Sequence, residues 1–526
     1  MSLPLWEAAV LALVALGASF RQLSGWLYLL QLDEYLPSRL RGTALRRLIA
    51  KWRWQLALAV GGIALLIAAL LVPVGWRPAP LLVAAVLPAA LHRPFAARGA
   101  LHWTRRARRL FAVAAVVTYA VLLLTFTLGG LGAVAAALVD LVIVGALCVA
   151  VLLTAPYEAR QRHRFMAAAE AKLGRSRPLV VGITGSYGKT TTKVLLAQLL
   201  DEPGRPCFAT PESFNTTLGV CRAINEGLRD DHRAAVVEMG AYRTGEIAEI
   251  CSFTHPTAAI LTAIGLMHLE RFGSRRRIAE AKSELLAAIP KEGLAVMPSD
   301  IAEKDILLSR LQGRLVEVGR PGDRWWLEGE EITERGTGFR LRGSRGEDVA
   351  MTVPLYGSHL LSDLLCALAA AVELGRDPLA LAAKVGGLKG APHRLEVSRS
   401  HGVTIIDDSY NSNPAGAAEA LRLLGALPGQ RRVLVTPGFV ELGSEQEQSM
   451  IDLGRQAALV CSHVILVGPR HSAAVGRGLA EVGYPPAQIS VVADLAEAQA
   501  LLPRLGGAGS VVLFENDLPD QYLETN

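Results

Sequence analysis

Apolar runs at residues 3–20, 54–76, 110–129 and 131–156, with a shorter one at 80–91, constrain this chain more than any other feature. Each long run approaches the roughly 20 apolar residues that a helix needs to cross a bilayer. The whole chain of 526 residues is 51% hydrophobic and only 19% charged, with a mean hydropathy of +0.32. That is too apolar for an ordinary soluble protein, and it excludes an intrinsically disordered or collagen-like one. The first run lacks a basic start and a clean small-residue cleavage site, and further runs follow it, so it is more than a cleavable signal peptide. About five spans are expected over residues 1–157.

Charge divides the chain in the same place. Residues 1–157 carry 14 Lys and Arg against Glu7, Asp33, Glu34 and Asp140, whereas the remainder is mildly acidic with 40 basic and 44 acidic residues. This is the balance of a membrane module joined to a soluble part, and it excludes a nucleic-acid-binding surface. Arg39 to Arg53, Arg93 to Arg109 and Arg160 to Arg164 follow the first, third and fifth runs, while the intervening turns hold only Arg77. Positive charge stays in cytoplasmic loops, so the N-terminus is expected outside and residues 158 onward in the cytoplasm, making this a multi-pass protein of the cell's inner membrane. Two ionisable residues stand out in the apolar half. Arg21 lies between apolar stretches, where snorkelling explains it, and Asp140 lies inside the fifth run, as a functional group or as a partner in a helix–helix hydrogen bond. No inverted repeat points to a transport path. The six cysteines have no CxxC spacing, which argues against a disulfide framework or a zinc site and fits a reducing compartment.

Beyond a charged, helix-like connector at 158–177, Pro178 to Ile183 reads as a buried strand opening into Thr184-Gly185-Ser186-Tyr187-Gly188-Lys189-Thr190-Thr191-Thr192, and an apolar-patterned helix follows. Strand, glycine-rich turn and helix form the context of a phosphate loop: backbone N–H groups reach the phosphates and the helix N-terminus adds positive potential. Lys189 is placed to contact the β- and γ-phosphates and Thr190 to hold Mg²⁺. A second apolar strand, Arg233 to Val237, ends in the carboxylate of Glu238, and a third, Ala258 to Ala263, leads to His268 and Glu270. Both present polar groups at a strand's carboxyl end, where open α/β sheets bind ligands.

The series ITGSYGKTTT, VVEMGAYRTGEI, ILTAIGLMHLERFGS, IAEAKSELL, PHRLE and IDDSYNSNP, in that order, resembles the Mur ligase family, in particular its D-alanyl-D-alanine-adding branch, over roughly residues 178–526. The resemblance implies an ATP- and Mg²⁺-dependent ligase: a substrate carboxylate attacks the γ-phosphate, and an incoming amine displaces phosphate from the acyl phosphate. It implies that Thr184 to Thr191 with Arg394 and Asp408 bind ATP; that Thr190, Glu238, His268 and Lys282 serve the metals, Lys282 as a carbamate; and that Lys189, His268 and Lys282 are catalytic. Asn215 and Thr216 match a segment facing the carboxylate substrate, and Tyr410 and Asn411 are assigned to the cleft. The partners so implied are a cell-wall precursor, an amino acid or dipeptide, and envelope-synthesis proteins.

Three departures from the family pattern matter. Its Gly-x-His-Asn-x-x-Asn reads here with Leu360 and Asp363 in place of both asparagines, so the adenine contacts are left unassigned. The last domain carries Thr436-Pro437-Gly438-Phe439-Val440-Glu441-Leu442-Gly443 and ends near Phe514-Glu515-Asn516-Asp517, so the amine substrate is open. Apolar helices stand where the family has a domain for the uridine nucleotide, which suggests a lipid-linked acceptor at the membrane. Residues 311–355 read as a small strand-rich insertion whose Trp325 and Trp326 serve core packing or substrate stacking.

The expected architecture is a multi-pass α-helical membrane domain (1–157), the connector (158–177), a P-loop α/β Mur ligase central domain (178–390) and a smaller Rossmann-like α/β C-terminal domain (391–526). Its expected function is that of a membrane-anchored carboxylate–amine ligase of envelope synthesis. Rival readings are a ligase or amidotransferase synthetase subunit for another acceptor such as a poly-amino-acid, an ATP-driven transporter or sensor, and a non-catalytic scaffold.

Overall fold

The computed structural model describes residues 4–32, 35, 60, 101–128, 134–135, 138–212, 214–265, 269–333, 336–390, 393–409, 412–440, 442–505 and 507–516. The chain forms two compact units, Met1–Gln161 and Arg162–Glu524.

In the first unit, α1 (Leu5–Ala18) and α2 (Phe20–Leu32) meet at a 55° bend. Ser19, between them, donates its hydroxyl back to Ala15 O at 2.7 Å, the local bond that bends helices. The run expected as one span at 3–20 is therefore the first arm of a bent pair, and Arg21 belongs to the second arm. Next come α3 (Arg105–Thr127), capped by Thr104 Oγ1 accepting from Ala107 N at 3.1 Å, and α4 (Val139–Ser176), a single 38-residue helix that runs through Pro156. The expected spans at 110–129 and 131–156 correspond to α3 and the first part of α4; the expected connector continues α4. The runs at 54–76 and 80–91 lie outside the described residues, Val60 apart. Among the described residues, two helices are long and apolar enough to cross a membrane, or three if the bent pair is one span. Asp140 is buried, and its Oδ1 accepts a hydrogen bond from Trp26 Nε1 at 2.9 Å, so this carboxyl ties α4 to α2. Leu27, Leu110 and Ile143 pack the three helices together.

The second unit begins with β1 (Leu179–Thr184), α5 (Lys189–Leu200), β2 (Cys207–Ala209), α6 (Thr217–Gly227), β3 (Ala234–Glu238), α7 (Glu246–Thr254) and β4 (Ala258–Leu261). It continues through α8 (Leu269–Phe272), α9 (Arg275–Ala288), β5 (Leu294–Pro298), α10 (Lys304–Arg310) and β6 (Arg314–Val318). Then come β7 (Trp325–Thr333), β8 (Gly336–Gly343), β9 (Asp348–Val353), α11 (Ser358–Glu373) and α12 (Pro378–Val385). The strands form one sheet in the order β2-β3-β1-β4-β5-β6-β7-β8-β9. Pairing is parallel from β2 to the single β6–β7 contact, and antiparallel from β7 to β9. The strand-rich insertion thus extends the main sheet. Trp325 is fully buried with its Nε1 donating to Glu373 Oε1 at 3.0 Å, which assigns it to the core.

Side chains alternate between two faces, as a strand's period of two requires. Val181, Ile183, Ala234 and Val236 enter a core with Leu195, Leu196 and Leu199 of α5 and Leu364 and Leu368 of α11. Val180, Ala235 and Val237 enter the opposite core, with Val220 and Ile224 of α6, Ile247 and Ile250 of α7, and Ile278 and Leu285 of α9. Burial on both faces explains why these strands read as continuous apolar runs.

A second sheet follows, built from β10 (Glu396–Ser400), β11 (Val403–Asp408), α13 (Pro414–Ala426), β12 (Arg431–Thr436), α14 (Gln446–Val460) and β13 (His463–Val467). It is completed by α15 (Ala473–Glu481), β14 (Ile489–Val492), α16 (Leu495–Leu505) and β15 (Ser510–Glu515). Its order is β10-β11-β15-β12-β13-β14, parallel except at the β10 edge.

Helix α9, which carries Lys282, is seated closely: a Cβ placed on Gly182 of β1 would lie 2.6 Å from Leu285 Cδ1. Leu285 is fully buried. Leu285→Ala is expected to lower stability by about 2–5 kcal/mol, read by urea unfolding of the full chain in detergent. A loss under about 1 kcal/mol would show that α9 is held by other contacts.

Candidate active site

Thr184 closes β1 and donates its hydroxyl to Met239 O at 2.8 Å, joining the start of the phosphate loop to the end of β3. The loop then runs against the segment after β4. Ser186 N donates to Ala263 O at 2.7 Å, and Gly265 N donates to Ser186 Oγ at 2.9 Å. A Cβ on Gly185 would lie 1.9 Å from Thr262 Oγ1 and 3.1 Å from Ala263 N, so only glycine admits this approach. Thr262 also donates its hydroxyl to Tyr187 O. Gly188 turns the chain into α5 at φ 78°, in the left-handed region.

Lys189, the first residue of α5, donates from Nζ to Gly185 O at 2.8 Å and Ser186 O at 3.3 Å, curled over its own loop. Burial lowers its pKa, Glu238 opposes the shift and Arg394 adds to it. Thr190 and Thr191 follow on the first turn of α5, Thr191 fully buried.

Glu238, at the carboxyl end of β3, is 1% exposed. Its Oε1 accepts from Asn215 Nδ2 at 2.9 Å, and its Oε2 lies 3.0 Å from Lys193 Nζ. Burial pushes its pKa up, but Lys193, Lys189 and the Asn215 hydrogen bond outweigh burial and hold the carboxyl below its usual range. Asn215 is locked from the other side, its carbonyl accepting from Gly240 N at 2.8 Å. The Thr216 hydroxyl caps α6, accepting from Gly219 N at 3.3 Å.

Lys282 on α9 is 4% exposed. Burial, with the charge of Lys189 adding to it, drives its pKa well below that of an ordinary lysine. A neutral amine is the form that combines with carbon dioxide, so the environment suits a carbamate. Glu284, two residues further on, accepts from Gly245 N at 2.6 Å and Ala248 N at 2.9 Å, fixing the loop that leaves β3.

Tyr187, Gly188, Arg394, Asp408, His359 and Asp363 line a cavity of about 40 Å³ shared by the two α/β halves. Asp408 accepts from Leu395 N at 3.0 Å, and burial raises its pKa to about 6. Asp363 packs on the loop, so that a Cβ on Gly188 would lie 2.0 Å from its Oδ1. Burial raises its pKa to about 7 against the pull of Arg394, Thr192 and Lys189. His359 is pushed down to about 4 by burial and by Arg394 and Arg422.

Phosphate loop, Asn215, Glu238 and Lys282 therefore converge at the carboxyl edge of the first sheet, with Arg394 and Asp408 across the cavity. His268, Tyr410 and Asn411 lie outside the described residues. Among the described residues no three His, Cys, Asp or Glu side chains form a ready metal cage. The oxygen donors of Thr190 and Glu238 beside a phosphate loop nevertheless fit Mg²⁺, which binds through one or two carboxylates plus substrate phosphates. Glu238 Oε2 is already paired with the Lys193 ammonium at 3.0 Å, so a cation bound there would share the carboxylate with it. Sequence reasoning missed Lys193 and Glu284. The only signal was position, a lysine one turn after Lys189 among apolar residues and a glutamate two residues after Lys282.

Such a fold and site define an ATP-using α/β ligase with a second domain bordering the nucleotide loop. The Mur ligase middle domain matches residues 183–371, and the Mur ligase glutamate ligase domain matches residues 393–515. The chain is 32% identical over 309 residues to the UDP-N-acetylmuramoyl-tripeptide--D-alanyl-D-alanine ligase of Escherichia coli K12, covering 57% of this chain and 67% of the relative. It is 33% identical over 367 residues to the enzyme of that name from Mycobacterium tuberculosis H37Rv, covering 64% and 70%. Among solved structures, MurF from Acinetobacter baumannii superposes with a TM-score of 0.60 at 28% identity, covering 68% of this chain and 77% of that one. MurF ligase from Thermotoga maritima in complex with ADP gives 0.59 at 26%, covering 68% and 80%. The chain belongs to the Mur ligase family, the ATP-dependent, ADP-forming ligases of peptidoglycan synthesis, and its cofactors are ATP and Mg²⁺.

The Asp363 carboxyl rises from 3.8 to about 7, so the folded chain holds a proton that the unfolded chain has released between those pH values, and stability falls as pH rises through that window. Asp363→Asn removes this slope. The variant should gain on the parent by up to about 1.4 kcal/mol per pH unit between about pH 4 and 7, and keep a constant margin above. Urea unfolding of both proteins at pH 5, 6, 7 and 8 measures it; a margin independent of pH would refute it.

Proposed function

We propose that this protein is a membrane-anchored carboxylate–amine ligase that extends a peptidoglycan precursor from the cytoplasmic face, with a lipid-linked acceptor supplying the carboxylate. The ligase reading is carried by one observation, the convergence of the phosphate loop, Glu238 with Asn215, and Lys282 at one sheet edge. Support for the membrane reading comes from α3 and α4, both long and apolar enough to span. Only Arg177 and Pro178 separate the end of α4 from β1.

In this reading a carboxylate oxygen of the acceptor attacks the γ-phosphorus of ATP, ADP leaves, and the acyl phosphate is held in place. The amine then attacks the acyl carbon, and collapse of the tetrahedral intermediate expels phosphate and leaves an amide. Negative charge accumulates on the transferring phosphoryl group, so stabilisation and positioning dominate the catalysis. Bound Mg²⁺ supplies charge neutralisation across the phosphates. Lys189 swings from its own loop carbonyls to the phosphates, and Thr190 with Glu238 holds the metal. Lys282 joins them as a carbamate, with His268 serving the second metal. Asn215, held at both ends, faces the acceptor carboxylate, with Thr216, Tyr410 and Asn411 alongside. Arg394 and Asp408 contact the nucleotide from the second α/β half, and closure of that half excludes water from the acyl phosphate.

The relatives are named for a UDP-linked tripeptide and D-alanyl-D-alanine. Here the amine component is an amino acid or dipeptide, read by a last domain whose loops depart from the family's.

The test is phosphate release by the detergent-purified full chain with ATP and Mg²⁺, offered nucleotide-linked or lipid-linked precursors with amino acids, D-alanyl-D-alanine or ammonia. Release should require acceptor and amine together and add the amine's mass to the lipid-linked acceptor. Lys189→Ala should lower the rate at least 100-fold, about 3 kcal/mol of transition-state stabilisation. Turnover of the nucleotide-linked precursor alone would sink the lipid-linked reading and leave the ligase intact.

A further inference from the structure

Two lysines, Lys189 and Lys193, act on the buried carboxylate of Glu238 beside the phosphate loop. Lys193 and Glu238 are each 1% exposed and 3.0 Å apart. Lys189 acts on Glu238 from the loop side, and Lys282 in turn feels the charge of Lys189. Lys193 belongs to α5, one turn beyond Lys189, and its Nζ also donates to Glu212 O, in the loop that leads to Asn215. Its ammonium therefore holds the metal carboxylate and the backbone of the acceptor-facing loop together. The apolar face of α5 is packed separately, by Leu195, Leu196 and Leu199.

A divalent cation at Glu238 must share a carboxylate that already has a buried counter-ion, and it meets the repulsion of that ammonium at short range, where screening by water is weak. Nucleotide phosphates bring several negative charges and reverse the balance. We infer that Lys193 is a positioning residue that makes metal binding conditional on the nucleotide: it neutralises Glu238, so the site holds a divalent cation only together with phosphate groups. Such a site takes the metal–nucleotide complex and leaves the bare ion in solution. The inference rests on Glu238 being a metal ligand, as the proposed function has it.

The probe is Mn²⁺, titrated into the detergent-purified full chain and followed by the electron paramagnetic resonance of the free ion, with and without ADP. Lys193→Met and Lys193→Gln should each tighten nucleotide-free Mn²⁺ binding at least tenfold while changing Mn²⁺ affinity in the presence of ADP less than threefold. Lys193→Arg, which keeps the charge, should behave as the parent. In Lys193→Gln/Glu238→Gln the tightening should vanish. In turnover, the neutral variants should show a lower kcat together with a lower half-saturating Mg²⁺, a split that simple loss of structure would not give. If either neutral variant binds bare Mn²⁺ within twofold of the parent, the inference is overturned. If Glu238→Gln leaves Mn²⁺ affinity with ADP unchanged, Glu238 is no ligand, and the metal assignment fails along with the inference.

Discussion

A carboxylate buried at the end of an apolar strand is the condition on which the site depends. Glu238 ends β3, whose other residues are Ala234, Ala235, Val236 and Val237, all buried between two cores. An ionised group survives in such a place only if it is paired and hydrogen-bonded. Lys193 and Asn215 meet that requirement from two different elements, and each is committed by doing so. Asn215 sets the entry into α6, and Lys193 anchors the preceding loop through Glu212 O. One charge thus fixes the relation between the phosphate loop, the end of β3 and the loop that leads to Asn215.

Much of the second unit was legible in the sequence because its physics is local. Runs such as Val180 to Ile183 and Ala234 to Val237 are short, apolar throughout and bounded by polar or turn residues, as a strand covered on both faces requires. Gly188 was readable too, since the turn into α5 needs a left-handed residue. The bend at Ser19 was not legible, because serine is common in helices and Ser24 makes the same bond back to Phe20 O inside α2, which runs on unbroken. Nor was the course of residues 311–355, read as an insertion and found to extend the main sheet: a strand's neighbours are set by long-range pairing that no local pattern encodes.

The site followed the same division. Lys189 and Glu238 were found through patterns with a chemical reason and Lys282 through the family resemblance alone, and the structure places all three about one sheet edge. Lys193 and Glu284 carry no motif. Their roles exist only through partners 45 and 39 residues away in the chain, Glu238 and Gly245. Asp140 shows the converse. The sequence left two readings open, and a single hydrogen bond from Trp26, 114 residues distant, favours the packing one.

Glu515 ends β15 directly beside Asp408 of β11 and is fully buried, a costly residue for a loop under no constraint. Burial and the neighbouring Asp408 hold its carboxyl well above the usual range, and Ser412 donates its hydroxyl to it. Asn516 adopts φ 67°, donates to Gly438 O at 2.6 Å and accepts from Ser412 N at 3.3 Å. The ends of β11, β12 and β15 are thereby bonded to one another through the residues that depart from the family pattern. A buried polar group left without a partner costs about 1–3 kcal/mol, so these bonds offset part of the cost of burying Glu515 and Asn516. Here Ser412, Gly438, Glu515 and Asn516 bond the strand ends to one another at the carboxyl edge of a parallel sheet, the edge where open α/β sheets bind ligands.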